Sequence, residues 1–237
     1  MIAKESFLYA QKHGAIVNCR FERRALKKHT HEMRVLNKTE EERLIQVLTA
    51  SEDRYKLGVL ICLCTGIRIG ELCALQWKNV SFCEKTLRIE CTMQRLQYEN
   101  EDSVTKTRVI ITEPKSFAAL RTIPLPDFLL DRMKPYYESP NAFLLSGECK
   151  KYIEPRTMQN RFKSYLAESE IEDANFHALR HTFATRCVEI GFDIKTLSEI
   201  LGHSSVKITL DKYVHSSIEL KRSNMEKLQY MVQSAYL

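Results

Sequence analysis

Residues 54–66 read RYKLGVLICLCTG, an almost continuously apolar run that carries charge only near its start and ends on a glycine. It is shorter than the roughly 20 residues a bilayer crossing needs. Closed by Gly66, it has the form of a core helix with a glycine C-cap. Upstream, NKTEEERLIQVL (37–48) offers Thr39 and Glu42 at capping-box spacing, followed by apolar residues at helical intervals, so a helix starts near Thr39. Downstream the pattern changes. Between Thr86 and Leu125, the β-branched or alternating runs LRIECTMQRL, TRVIIT and RTIPL are separated by polar segments and predict three short antiparallel strands. Helical patterns return at 127–137, 155–170, 176–191, 193–202 and 205–214, and an amphipathic helix closes the chain at 217–233. The expected fold is mainly α with a small antiparallel β-sheet.

The chain has 237 residues, 44% hydrophobic and 28% charged, with only 7 Gly and 6 Pro. That composition excludes a disordered chain, a collagen-like repeat and a turn-rich all-β fold. The start, MIAKESFLYAQKHG, places charge where a secretory signal needs an apolar run, and no window is apolar enough for a membrane span, so a cytoplasmic protein is expected. The net charge is +6, and nearly all of the excess lies before residue 35, where Arg20, Arg23, Arg24, Lys27 and Lys28 cluster. Such an arm suits a polyanion, although a solvated tail has the same composition. The organisation read here is a basic segment over 1–35 and a folded domain over 36–237. The 8 cysteines are scattered through apolar surroundings without the two-residue spacing of a zinc or redox motif. They read as small core residues and imply no metal.

Several polar residues stand out against this background. In NFHALRHTFATR (175–186), His177 and Arg180 share one face at a helix start, where unpaired N–H groups, a guanidinium and an imidazole would favour a phosphate. In TGIRIGEL (65–72), Arg68 sits in a turn among isoleucines and needs either an acidic partner, for which Glu71 is placed, or a bound anion. Lys115 lies in a connection between strands, from which a flexible side chain could reach a ligand. His203 follows the glycine end of one helix, and Tyr213 stands ten residues later among Asp211, Lys212 and His215. Read alone, residues 193–214 also outline a helix-turn-helix, which would make the protein a DNA-binding regulator without catalysis.

Taken in order, TGIRIGEL, PKSFAALRTIPL, HALRHTFATR, LGH and Tyr213 resemble the signature of the tyrosine recombinases, the integrases of phages and transposons. The resemblance covers the catalytic domain from about Leu36. YAQKHGAIVN (9–18) is similar to the end of the preceding core-DNA-binding domain and the start of its linker, which implies a fragment of a longer recombinase. The resemblance implies that Arg68 and Arg180 grip the scissile phosphate and that His177 and His203 hydrogen-bond it or handle protons. It makes Tyr213 the nucleophile of a 3′-phosphotyrosyl intermediate. Lys115 would be the general acid, with Lys106 the second candidate. Glu71 would orient these groups, and His181 is set aside as a packing residue.

No cofactor is implied, since two guanidiniums can carry the charge that gathers on the phosphate oxygens. The implied partner is duplex DNA carrying recombination sites, bound by a homo-tetramer with a possible directionality factor and with no membrane involved. A type IB topoisomerase-like relaxation of DNA would use nearly the same residues.

Overall fold

The structure is a computed structural model that describes residues 33–97, 107–113 and 117–213, together with Tyr9, Lys12, His13, Arg222, Met225 and Glu226. Contacts divide the chain into Met1–Glu32 and Met33–Leu237. Apart from Arg222, Met225 and Glu226, the closing helix expected at 217–233 lies outside the described residues, as do Arg20, Arg23, Arg24, Lys27 and Lys28 of the basic arm.

Helix α1 spans Lys38–Thr49. Its cap is Asn37 rather than Thr39: the Asn37 side chain accepts from Glu40 N at 2.9 Å, and Asn37 N donates to Glu40 Oε2 at 2.8 Å. The capping box exists, but two residues earlier than its spacing in the sequence suggested. Asn37 takes the role because it is the residue still in extended backbone, as an N-cap must be. Helix α2 covers Arg54–Thr65, begins at the Asp53 cap and ends at Gly66, whose φ of 66° is left-handed and whose N–H returns to Cys62 O at 2.9 Å. Leu57, Val59, Leu60, Ile61 and Cys62 are all buried along it, so the apolar run lies in the core as expected.

The short helix α3, Ile69–Ala74, follows directly. Gly70 lets it lie against the strand beyond, since a Cβ there would come within 2.6 Å of Met93 O. Among the described residues the strands number five in two small antiparallel sheets, where the sequence suggested three in one. Strands β1 (Val80–Ser81), β2 (Thr86–Ile89) and β5 (Arg121–Pro124) form one sheet in the order β1-β2-β5. Strands β3 (Thr92–Gln97) and β4 (Thr107–Thr112) form the other. The segment LRIECTMQRL is divided at Glu90 and Cys91. There the Glu90 carboxylate is held by Asn79 Nδ2 at 3.0 Å and by Arg88, and the chain leaves β2 to pack β3 against α3. Alternation alone cannot reveal such a change of sheet.

Helices α4 (Asp127–Met133), α5 (Pro155–Glu168), α6 (His177–Glu189), α7 (Ile194–Leu201) and α8 (Val206–Tyr213) complete the described fold, each within a segment read as helical. Two apolar clusters result. The larger is built on α2, α4, α5 and the inner faces of the first sheet, and includes Ala178 and Leu179 of α6. The smaller joins Ala184 and Cys187 of α6 to Leu197, Leu201 and Tyr213. Helix α6 therefore buries two faces, and its polar residues are confined between two apolar bodies. The segment before α1 is tied to it as well: Leu36 N donates to Thr182 Oγ1 at 2.9 Å, and Arg186 donates to Leu36 O at 2.8 Å.

Cys62, Cys73 and Cys187 are buried free thiols, and burial raises the pKa of each. Among the described residues no helix is long and apolar enough to cross a membrane.

Candidate active site

Arg180 decides the character of the site. It is 2% exposed, and its guanidinium donates to Gly66 O at 2.7 Å and to Leu201 O at 2.6 Å, which joins the C-terminal ends of α2 and α7. Carbonyl dipoles at helix ends suit a cation, but they supply no counter-charge. Among the described residues no carboxylate forms an ion pair with it. Burial, with Arg68 nearby, pushes its pKa down to about 9, so it remains charged at neutral pH.

Arg68 caps α3 with its side chain half exposed. Its guanidinium donates to Glu71 Oε1 at 2.8 Å and its backbone N–H to Glu71 Oε2 at 2.8 Å, the partnership expected from their spacing. The same carboxylate has a second cation that sequence reading missed. Arg121 donates from both terminal nitrogens to the two oxygens of Glu71, at 3.1 and 2.8 Å, while its Nε donates to Ile200 O at 2.6 Å. Burial works against the Glu71 charge, but Arg121 and then Arg68 outweigh it and hold the carboxyl below its usual range. Arg68, Arg121 and Arg180 thus face one carboxylate, and the excess of positive charge invites an anion.

Arg68, His177 and Arg180 line one cleft of about 370 Å³, together with Thr92, Gln159 and Asn175. His177 is the first residue of α6 and is exposed. Desolvation, with Arg180, Lys212 and Arg68, pushes its imidazole down to about 4. His203, just beyond α7, places Nδ1 2.8 Å from Thr209 Oγ1 and is pushed down to about 3 by burial and the neighbouring arginines. Its ring lies parallel to the ring of Tyr213, with centroids 6.4 Å apart. Tyr213 ends α8 and is 7% exposed. Burial raises its pKa, against the pull of Arg180 and Arg68.

The structure therefore brings Arg68, Glu71, His177, Arg180, His203 and Tyr213 around one place. Lys115, Lys106 and the arm residues Arg20, Arg23, Arg24, Lys27 and Lys28 lie outside the described residues.

From sequence His181 reads as a packing residue. It is indeed buried, but its Nδ1 lies 2.8 Å from Tyr213 Oη, and its ring meets that of His177 edge-on at 4.6 Å. The four-residue spacing of the two histidines, which puts them on one helix face, was the available signal. Arg121 falls within the motif PKSFAALRTIPL, but nothing local pairs it with Glu71, 50 residues away.

A match to the phage integrase family covers residues 34–219. The chain belongs to that family. Among phage integrase relatives, the XerC-like tyrosine recombinase of Caldanaerobacter subterraneus subsp. tengcongensis is 29% identical over 191 residues, 74% of this chain and 49% of its own. The tyrosine recombinase XerA of Pyrococcus furiosus is 32% identical over 179 residues, 72% of this chain and 54% of its own. The chain thus spans about half the length of these relatives. The Tn1549 transposon integrase, solved in complex with circular intermediate DNA, superposes with a TM-score of 0.71 at 23% identity, over 95% of this chain and 76% of that one.

The fold is accordingly that of a tyrosine recombinase catalytic domain. The helix-turn-helix reading is not favoured, since α7 and α8 fall within the phage integrase match and α8 turns Thr209 and Tyr213 inward, onto His203 and His181.

Proposed function

We propose that this chain is the catalytic domain of a site-specific DNA recombinase that cleaves and rejoins strands through a 3′-phosphotyrosyl intermediate at Tyr213. The observation that carries the reading is the buried Arg180 guanidinium, without a carboxylate partner among the described residues, beside the half-exposed Arg68 and with the Tyr213 hydroxyl close at hand. A phosphodiester in the cleft supplies the missing negative charge. Two planar guanidiniums stabilise the charge that develops on its non-bridging oxygens, without reorganisation at the moment of reaction. His177 and His203, both held neutral, add hydrogen bonds.

In the cleavage step the Tyr213 oxygen bonds to phosphorus, the bond to the 5′ oxygen breaks, and Lys115 donates a proton to that leaving oxygen. Rejoining runs the same steps in reverse, with a 5′-hydroxyl from a second strand. Glu71, fixed by Arg121, holds Arg68 toward the cleft. Outside the described residues, the segment over 1–35 acts as a basic linker that tracks along phosphates through Arg20, Arg23, Arg24, Lys27 and Lys28, and Lys106 is the alternative acid. Integration or excision of a mobile element in the cytoplasm, by a homo-tetramer on two duplex sites with a directionality factor, completes the proposal.

The test is covalent capture. The protein is incubated with a pool of nicked duplexes carrying candidate element ends, and denaturant-resistant adducts are recovered and mapped by mass spectrometry. An adduct on Tyr213, lost in Tyr213→Phe and reduced at least a hundredfold in Arg68→Ala and Arg180→Ala, is expected. Binding without any adduct, in this chain and in a longer one carrying the upstream domain, would return the protein to the class of non-catalytic DNA-binding modules.

A further inference from the structure

Strand cleavage by a tyrosine moves two protons, one onto the 5′ oxygen and one off the phenol. Lys115 accounts for the first in the reading above, and for the second the family resemblance offers His177 and His203. The guanidiniums of Arg68 and Arg180 cannot serve, because they carry donors only. Nδ1 of His203 is engaged by Thr209, and its ring lies parallel to the tyrosine ring. His177 meets His181, and no bond from it to the tyrosine is formed. Within hydrogen-bond distance of Tyr213 Oη, among the described residues, stands Nδ1 of His181 at 2.8 Å.

We propose that His181 receives the proton of the Tyr213 hydroxyl as the phosphotyrosyl bond forms. The proposal rests on the strand-cleavage reading and extends it by one residue. Three observations support it beyond the distance. His181 is 6% exposed and Tyr213 7%, so water is a poor rival as acceptor. His181 projects from α6, the helix that also carries His177 and Arg180, so acceptor and phosphate ligands move as one rigid unit. Finally, burial and the charges of its neighbours push its imidazole down to about 4, which leaves it neutral and able to accept a hydrogen bond at physiological pH.

The groups facing His181 are His177 and Arg180 on α6 and Lys212 and Tyr213 on α8, with His203 acting on the tyrosine from the end of α7 and Arg68 from the start of α3. A phosphodiester bound between the arginines offsets the cationic part of this field and makes the imidazole more basic only when substrate is present. Tyr213 at rest keeps its proton, so transfer accompanies bond formation: Oη bonds to phosphorus, its proton passes to Nδ1, and the bond to the 5′ oxygen breaks as Lys115 protonates it. On rejoining, the imidazolium returns its proton to Oη.

Two measurements test this. The first needs no DNA: ¹⁵N-histidine NMR of the full chain at neutral pH should show His181 with an unprotonated, hydrogen-bonded Nδ1 whose resonance moves in Tyr213→Phe. A protonated Nδ1, or a resonance indifferent to Tyr213→Phe, overturns the proposal. The second is single-turnover cleavage of the duplex recovered by covalent capture. His181→Phe fills the ring's space without an acceptor, whereas His181→Asn keeps an acceptor near the position of Nδ1 but cannot take a proton near neutral pH.

Both variants should retain DNA binding and a cooperative melt yet cleave about 10²–10⁴-fold more slowly. Their rates should also climb about tenfold per pH unit through neutrality, as preformed tyrosinate becomes the nucleophile, where the wild-type rate is level. A wild-type rate and level profile in either variant sinks the proton-transfer role and leaves the strand-cleavage reading intact. Absence of any adduct in the wild-type protein removes that reading instead, and the NMR result then decides the His181–Tyr213 bond by itself.

Discussion

Glu71 and Arg121 show how much of this site rests on a pair that never touches the DNA phosphate in the proposed reaction. Both side chains are almost fully buried, and the two-pronged contact fixes the carboxylate on which Arg68 leans. Replacing Arg121 by Ala leaves Glu71 buried with the half-exposed Arg68 alone, and removing one partner of such a pair costs about 3–5 kcal/mol. At about 2–4 °C per kcal/mol for a domain of this size, the melting temperature of Arg121→Ala should fall by at least about 6 °C. Lys85→Ala is the control: it breaks the exposed Lys85–Asp127 pair, a surface contact worth at most about 1 kcal/mol. Equal shifts in the two variants, read by differential scanning calorimetry, would remove the argument. Arg68 and Glu71 could be paired from their spacing alone, three apart across a turn. Arg121 could not, because a contact over 50 residues leaves no local trace.

Helix boundaries separate what local chemistry dictates from what the surroundings choose. Gly66 could be read as the end of α2 because a left-handed residue at that point favours glycine for backbone reasons alone. The start of α1 was misplaced because both Asn37 and Thr39 can cap, and the choice fell to Asn37 once Leu36 was anchored to Thr182 and Arg186 of α6. Asn37→Ala should therefore cost about 1 kcal/mol, whereas Thr39→Ala, inside the helix and exposed, should be close to neutral in urea unfolding. The reverse order would restore Thr39 as the cap. The strands were misjudged for a related reason. Residue alternation fixes which side a strand presents, but the division of LRIECTMQRL between two sheets comes from Glu90 and from α3 lying on β3.

Protonation links the site to the stability of the molecule as a whole. His181 and His203 are pushed down to about 4 and about 3, well below the ordinary imidazole value of about 6.5. Between these limits the unfolded chain binds more protons than the folded one, so stability rises with pH across the window and is lost on acidification. Glu71, held low by Arg121, adds to the loss below the ordinary carboxyl range. The urea midpoint should accordingly fall steadily from pH 6.5 to 4, less steeply in His203→Asn, and a midpoint flat over that range would contradict the buried, neutral state of these rings. The described helices other than α3 and the glycine that ends α2 were legible from residues alone, because each depends on neighbours within a turn or two of chain, and the ordered motifs bearing Arg68, His177, Arg180, His203 and Tyr213 were legible through their resemblance to a family signature. The excess of positive charge around Glu71, the two-faced burial of α6 and the placing of the Tyr213 hydroxyl on His181 exist only after folding. They arise from groups dozens of residues apart, whose interactions become strong once packing has excluded water between them.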